Sequence, residues 1–552
     1  MISSSTWVPR GYASEFPEKY ELDDEEMARI NEIAKLEISD AKEELSEAQK
    51  ASSLKDQIEI DDDLKKYNLE TYDAEDDDYG TGENITMFPG LSSSDAKMYE
   101  NGEGEEGEND MYLMLPTEVD EQEEKQENQI YPTDNLVLAT RTEDDISWLD
   151  VYIYDDGAGA PAGAEEEEED KLDNDVAKGL VRDSALYVHH DIMLPAFPLC
   201  VEWVNYKPES DGSNIGNFAA VGTFDPQIEL WNLDFVDKAF PDVILGEMEV
   251  EKEKKKKKKK KSTGHVTTHH TDAVLSLSHN KIHRSVLAST SADKTVKLWD
   301  LSIGQTARSM DKIHHGKTVS SSQWHSTEAS ILLTGGYDAS VALTDVRISE
   351  VSQMSKYYTV TGGEDVENVR WSSNPEFFFA GTDQGNVFCF DIRNESKALW
   401  TLHAHDAGIS SLDINRFIPG MLVTSAMGEK TVKLWRASEN TTSGPSMVLS
   451  RDFGLGNVLT VAYAPDIEVA GNLVIGGVTG GLKMWDTFTN KSVKNVFEQD
   501  LVNLKKRARD EAKRAGRASR IARKYQVDAN DIVLEVEGSK NESESEDEDE
   551  DV

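Results

Sequence analysis

Ten cations crowd into twenty residues late in the chain: Lys505, Lys506, Arg507, Arg509, Lys513, Arg514, Arg517, Arg520, Arg523 and Lys524, with only Asp510 and Glu511 among them. Ammonium and guanidinium groups at this density attract phosphate and release its counterions, so the chemistry on offer is salt-sensitive and indifferent to base sequence. Few aromatic residues interleave, which leaves base stacking without support. Phe497–Tyr525 contains few breakers and predicts a basic helix over 497–526. Contact with RNA phosphate is one reading of it; neutralisation by an acidic partner or by acidic arms of the same chain is the other. A second basic run, Lys254–Lys261, lies in a stretch almost free of apolar residues, a loop at about 247–263. It reads as a solvated linker or as a nuclear-localisation or polyanion-binding signal. Ser543 and Ser545 alternate with acids in Glu542–Asp551 and suit acidophilic phosphorylation within a tail, 527–552, whose composition predicts disorder.

Other chemistries find no residues to carry them. The sequence has no phosphate-cradling Gly-x-x-x-x-Gly-Lys-Ser or Gly-x-x-x-x-Gly-Lys-Thr loop, no Gly-x-Ser-x-Gly elbow and no His-Glu-x-x-His helix. Adjacent residues on a strand face opposite ways, so the pairs His189-His190, His269-His270 and His314-His315 are not expected to share a metal ion. The expectation is a non-enzyme with no cofactor, no metal and no small-molecule substrate. Two cysteines, Cys200 and Cys389, fit a reducing compartment inside the cell. Nothing resembles a membrane span or a secretory signal, so no membrane partner is expected.

The net charge of −49 is unevenly spread: residues 1–130 hold 38 Asp or Glu against 11 Lys or Arg, a balance of −27. That stretch predicts an acidic, largely disordered arm. Within it Asp23 can cap an amphipathic helix over 23–50, where Met27, Ile30, Ala34, Ile38, Ala41 and Leu45 recur every three or four residues. Trp7, Val8, Pro9, Phe16 and Tyr20 form apolar islands, as do Met87–Pro89 and Met111–Pro116, each suited to docking on a partner or back onto the folded part of the chain.

The element that positions these arms is a repeat. Strand-like phrases end at Tyr154, Trp231, Trp299, Thr344, Phe390, Trp435 and Trp485, and from Trp299 onward the steps are 45, 46, 45 and 50 residues. The longer early steps hold an acidic insertion at about 156–175 and the lysine loop. Upstream of each phrase lie two more strands joined by turns, many of them ending in Asp, such as Asp293, Asp338 and Asp383. Small antiparallel sheets of this kind bury both faces only by stacking around a ring, which predicts an all-β, seven-bladed propeller over 134–496. The chain before Asp134 has too weak a pattern to say what completes the first blade.

The segment His269–Asp300 resembles the WD-repeat family, and that resemblance implies a hydrogen-bonded tetrad of His270, Ser289, Asp293 and Trp299. His405 and Trp435 match in a later repeat whose turn holds Gly428 and Glu429; Thr344 and Phe390 depart from the family's Trp. Beyond the repeats, Trp7-Val-Pro-Arg-Gly11, Glu15-Phe-Pro-Glu-Lys-Tyr20, Leu194-Pro-Ala-Phe-Pro-Leu-Cys-Val-Glu-Trp203, Gly222-Thr-Phe-Asp-Pro-Gln-Ile228 and Ser519-Arg-Ile-Ala-Arg-Lys524 are similar to the periodic tryptophan protein 1 family. The resemblance implies a scaffold of the nucleus and nucleolus in assembly of the large (60S) ribosomal subunit, partnered by assembly factors, ribosomal proteins and precursor rRNA. The rival reading is a chromatin adaptor whose acidic arms suit basic histone tails.

Overall fold

The computed structural model describes residues 1–20, 125, 128–157, 184–208, 215–247, 265–394, 397–437, 444–514, 519, 521 and 533–535. The expected helix at 23–50, the lysine run and most of the acidic insertion lie outside the described residues, as do Arg517, Arg520, Arg523, Lys524, Ser543 and Ser545.

Seven four-stranded antiparallel sheets make a seven-bladed propeller. Their innermost strands are Ile2–Val8, Pro198–Val204, Val274–His279, Val319–Trp324, Val366–Trp371, Ile409–Ile414 and Val458–Tyr463. The third blade shows the logic of each repeat: Val286–Ser291 pairs with Val274–His279 on one side and with Val296–Asp300 on the other, and Gln305–Met310 forms the outer edge. The second and third strands are buried on both faces, as in the fifth blade, where Phe377–Thr382 is buried throughout. Faces of neighbouring blades supply this cover, and a row of apolar clusters runs between them around the ring.

Two parts of the chain that composition places in the charged arms complete blades. Ile2–Val8, placed by composition in the acidic arm, is the innermost strand of the first blade and pairs with Asn135–Glu143. Its neighbours around the channel are the innermost strands of the second and seventh blades, so the N-terminus closes the ring. The chain after it stays on the propeller, with Glu18–Lys19 pairing in parallel with Phe235–Val236. At the other end Val533–Glu535, expected in the acidic tail, forms the outer strand of the seventh blade against Lys483–Trp485. Charge dominates the composition of both regions, whereas a strand needs only a few residues of alternating character and a free edge to pair with.

The innermost strands have one bare edge each, and their N–H groups need acceptors. The neighbouring blade supplies them. Ser322 N–H donates to Ser276 Oγ at 3.1 Å, Val369 N–H to Ser321 Oγ at 3.2 Å, Val461 N–H to Ser411 Oγ at 3.2 Å and Val201 N–H to Ser4 Oγ at 3.3 Å. Two residues further along three of these strands, Trp324 N–H donates to Ser278 Oγ, Trp371 N–H to Gln323 Oε1, and Tyr463 N–H to Asp413 Oδ2. The serine-rich phrases of the inner strands are thus a belt of acceptors around a central channel of about 1200 Å³.

Candidate nucleic-acid interface

After the seventh blade's third strand the chain turns back over the propeller through two helices, α1 (Lys491–Val496) and α2 (Glu498–Arg514). Asn490 starts α1 by accepting from Ser492 and Val493 N–H. In α2, Glu498 and Asp500 sit in the first turn and Lys513 and Arg514 in the last, the order that complements the helix dipole. Leu501, Leu504, Ala508 and Ala512 recur at helical spacing and are buried. The two leucines and Ala508 share one apolar cluster with Ile418, Ile467, Phe488, Val493, Phe497 and Ile521. Arg436 clamps the start of the helix: its guanidinium lies 5.0 Å over the Phe497 ring, 3.3 Å from Asp500 and on the Val496 carbonyl.

This docking decides which cations face outward. Lys506, Arg507, Arg509, Lys513 and Arg514 are exposed, and Lys505 is half-buried. Burial lowers the pKa of the Lys505 ammonium, and the charges of Lys494 and Arg509 lower it further. The Arg507 guanidinium lies 6.0 Å over Phe417. The described part of α2 runs to Arg514, and Ser519, within the predicted 497–526, is not helical. Instead Ser519 Oγ and Ile521 N–H both donate to Glu468 Oε2 at 3.1 Å, and Ile521 is buried in the apolar cluster. A buried carboxylate that accepts the Ile521 N–H competes with a helix for this backbone donor.

The structure also brings together His270, Ser289, Asp293 and Trp299. The indole N–H of Trp299 donates to Ser289 Oγ at 2.8 Å, Ser289 Oγ lies 2.7 Å from His270 Nε2, and His270 Nδ1 lies 2.8 Å from Asp293 Oδ2. An indole only donates, so Ser289 accepts from it and donates its own O–H to Nε2, leaving the Nδ1 proton for the carboxylate. Burial lowers the His270 pKa and favours this neutral ring. Burial alone would raise the Asp293 pKa, but hydrogen bonds from His270, Thr295 and the Thr271 N–H outweigh it and hold the carboxyl well below its ordinary range. Such a relay welds the turn before a blade to its second and third strands; it is internal and presents no reactive atom.

Two other blades repeat it with substitutions. In the sixth, His405 bridges Thr424 at 2.8 Å and Glu429 at 2.7 Å, and Trp435 N–H donates to Thr424 at 2.9 Å. Gly428 adopts a φ of 89° in that turn, and the longer Glu429 side chain takes the place of Asp. In the fourth, His314 bridges Thr334 and Asp338 at 2.9 Å each, while Thr344 replaces the Trp and turns to Ser355 Oγ.

The argument that adjacent histidines face apart fails at His189 and His190. The register between Val151 and Tyr152 slips by one residue there, a bulge that turns both rings to one side, and their Nδ1 atoms lie 2.7 Å apart. Burial lowers the pKa of both, that of His190 to about 3. Among the described residues no group of three or more His, Cys, Asp or Glu has the geometry to hold a metal ion.

The tryptophans that end the inner strands complete the picture. Trp324 Nε1 donates to the Ser278 carbonyl at 3.0 Å and Trp371 Nε1 to the Gln323 carbonyl at 3.3 Å, each reaching back one blade. Trp7 Nε1 does the same to Ala462 at 3.0 Å. Across 97% of its length the chain is 59% identical to periodic tryptophan protein 1 of Saccharomyces cerevisiae, of which it covers 97%. The chain belongs to the periodic tryptophan protein 1 family. It is 31% identical to the periodic tryptophan protein 1 homolog of Drosophila melanogaster, over 84% of this chain and 89% of that one. A family model for the nucleolar protein 10-like N-terminal domain matches residues 260–450. A shorter similarity, 40% over 18% of this chain and 23% of the relative, is to the ribosome biogenesis protein WDR12 homolog of Nematostella vectensis.

Within this family frame, the clearest signal that sequence reasoning missed is at the N-terminus. Ile2-Ser-Ser-Ser-Thr-Trp7 repeats Val319-Ser-Ser-Ser-Gln-Trp324 almost residue for residue, an inner-strand phrase far outside the regular period. Lys494, whose charge acts on Lys505, and Phe417, over which Arg507 lies, carried no signal, because nothing in a linear reading places them at α2.

Proposed function

We propose that this chain is a non-catalytic scaffold for large-subunit (60S) ribosome assembly in the nucleolus, holding assembly factors and ribosomal proteins on its propeller and precursor rRNA on its basic C-terminal segments. The observation that carries the reading is α2: its apolar side is committed to the sixth and seventh blades, and its cations are left facing outward. A preformed row of cations binds phosphate without the cost of ordering a flexible tail. The nucleolar and ribosome-biogenesis relatives support the compartment and the process. The reading gives the chain no catalytic step, and the His-Ser-Asp-Trp relays serve the blades. Purification of the tagged protein from nuclear extract, with and without RNase, tests it. Large-subunit precursor RNA together with assembly factors supports the reading, and proteins that persist after RNase are the propeller's partners.

One observation favours the chromatin reading. Asp365, Glu367 and Asp383 stand together at one mouth of the channel, and after burial their mutual repulsion raises the pKa of Asp365 and Glu367, a surface suited to a basic tail. Histones recovered without precursor RNA, in both samples, would make histone tails the ligand.

A further inference from the structure

The cations of α2 do not stand alone. In each blade the loop joining the first strand to the second and the turn joining the second to the third emerge on opposite faces, because successive strands run antiparallel. Asp293, Asp338, Asp383 and Glu429 belong to the second-to-third turns. Helix α2 packs on Phe417, Ile418 and the 3-10 turn Ile467–Val469, which belong to the first-to-second loops of the sixth and seventh blades. The propeller therefore has a face carrying acidic turns and a face carrying α2.

On the α2 face the basic surface continues past the helix. Lys494 of α1 is close enough for its charge to act on Lys505, as does that of Arg509. Arg507 leans over Phe417, and the preceding residue, Arg416, is exposed and lines the channel. Among the described residues Lys494, Arg416, Lys506, Arg509 and Lys513 form no ion pair, although Asp510 and Glu511 stand four positions along the helix from Lys506 and Arg507. Cations held together on docked elements and left out of ion pairs repel one another, a cost that a polyanionic ligand would offset.

We propose that the RNA-binding surface is a track across the loop face of the sixth and seventh blades, running from Lys494 through Lys505 and Arg509 to Arg507 and Arg416 at the channel mouth, with an RNA backbone as its ligand. This rests on the RNA reading of α2 and extends it to two cations outside that helix. It also fixes the approach: RNA meets the loop face, and the acidic turns keep it off the other.

The test is fluorescence anisotropy of the full-length protein with a short labelled oligouridylate across a salt series. Four proteins are compared: wild type, K494Q/R416Q, K506Q/R509Q/K513Q and K494R/R416K. Removing two phosphate contacts should reduce the slope of log affinity against log salt by about 1.4, at ~0.7 per contact on single-stranded RNA, and weaken binding on the order of tenfold at ~0.1 M salt. The charge-conserving K494R/R416K should retain the wild-type slope, and an unchanged unfolding temperature shows that the effect is not misfolding. If the helix triple variant loses affinity while K494Q/R416Q binds like wild type, the track is wrong and the RNA role of α2 stands. If neither variant weakens binding, or wild type does not bind the oligouridylate, both readings fall. Polyglutamate competing as well as oligouridylate in the lysine-and-arginine-dependent binding would also overturn the track's assignment to RNA, making it a seat for an acidic protein segment.

Discussion

Trp7 donates its indole N–H to the carbonyl of Ala462 at 3.0 Å, joining two residues 455 positions apart. The bond is the same one that Trp324 makes to Ser278 and Trp371 to Gln323 between consecutive blades. Ring closure is therefore made with the repeat's own contacts: Ser5 Oγ meets Thr460 Oγ1 at 2.9 Å beside it, and Arg10 N–H reaches Asp466 at 3.0 Å. The seam between the ends of the chain is built like the seams inside it.

Trp7→Ala should destabilise the propeller by about 3–5 kcal/mol, the usual cost of deleting a buried aromatic ring, and Trp7→Phe by about 1 kcal/mol for the hydrogen bond. Denaturant unfolding with limited proteolysis at the first and seventh blades reads this. An N-terminal arm that merely rested on the surface would leave W7A as stable and as protease-resistant as wild type.

Acid should weaken the sixth blade in two stages. Glu429 is held at about 2 against an ordinary 4.5: burial pushes it up, but hydrogen bonds from His405 and the Asp406 N–H pull it down further. A carboxyl with a depressed folded pKa contributes stability that is complete above about 4.5 and is lost as pH falls toward 2. Burial lowers the His405 pKa, so the folded state resists a proton that the unfolded chain accepts below about 6.5, and stability begins to fall there. Unfolding measured from pH 7 to pH 3 should show a shallower loss below pH 4.5 in Glu429→Gln than in wild type. Parallel curves would remove Glu429 from the relay.

Ser411→Ala should cost about 1–3 kcal/mol by leaving the Val461 N–H without its acceptor at a buried seam. Ser411→Thr keeps the hydroxyl and should recover most of that loss. Equal stability of the alanine and threonine variants in denaturant unfolding would show that the inner belt does not contribute through its hydroxyls.

Leu504→Ala should cost about 2–5 kcal/mol of docking free energy, because the side chain is buried between α2 and the blades. Hydrogen exchange should then rise across α2 while the blades stay protected. Uniform exchange across the whole chain, or none beyond wild type, would contradict a separately docked helix.

The period of the blades, their number and the relay through His270, Ser289, Asp293 and Trp299 were open to reading because each lies within one repeat: a strand, a turn and a strand carry their own alternation and turn chemistry. Thr344 in place of Trp did not hide the fourth blade, since its neighbours supply the cover that the indole gives elsewhere. The role of Glu429 was less legible, because its reach depends on the left-handed turn at Gly428. The bulge at His189 was invisible to strand periodicity, which assumes an unbroken register.

By itself, then, the amino-acid order determined what local pairing can decide: strands, turns, the ring they must form and the density of charge at its ends. Tertiary structure decided what depends on residues far apart in the chain. It gave Ile2–Val8 and Val533–Glu535 their places, because a blade's open edge selects whichever segment offers matching side chains. It also set the outward face of α2 and brought Lys494 near Lys505 and Phe417 under Arg507, since burial of Leu501, Leu504 and Ala508 on the blades orients the helix, and charge follows that apolar contact.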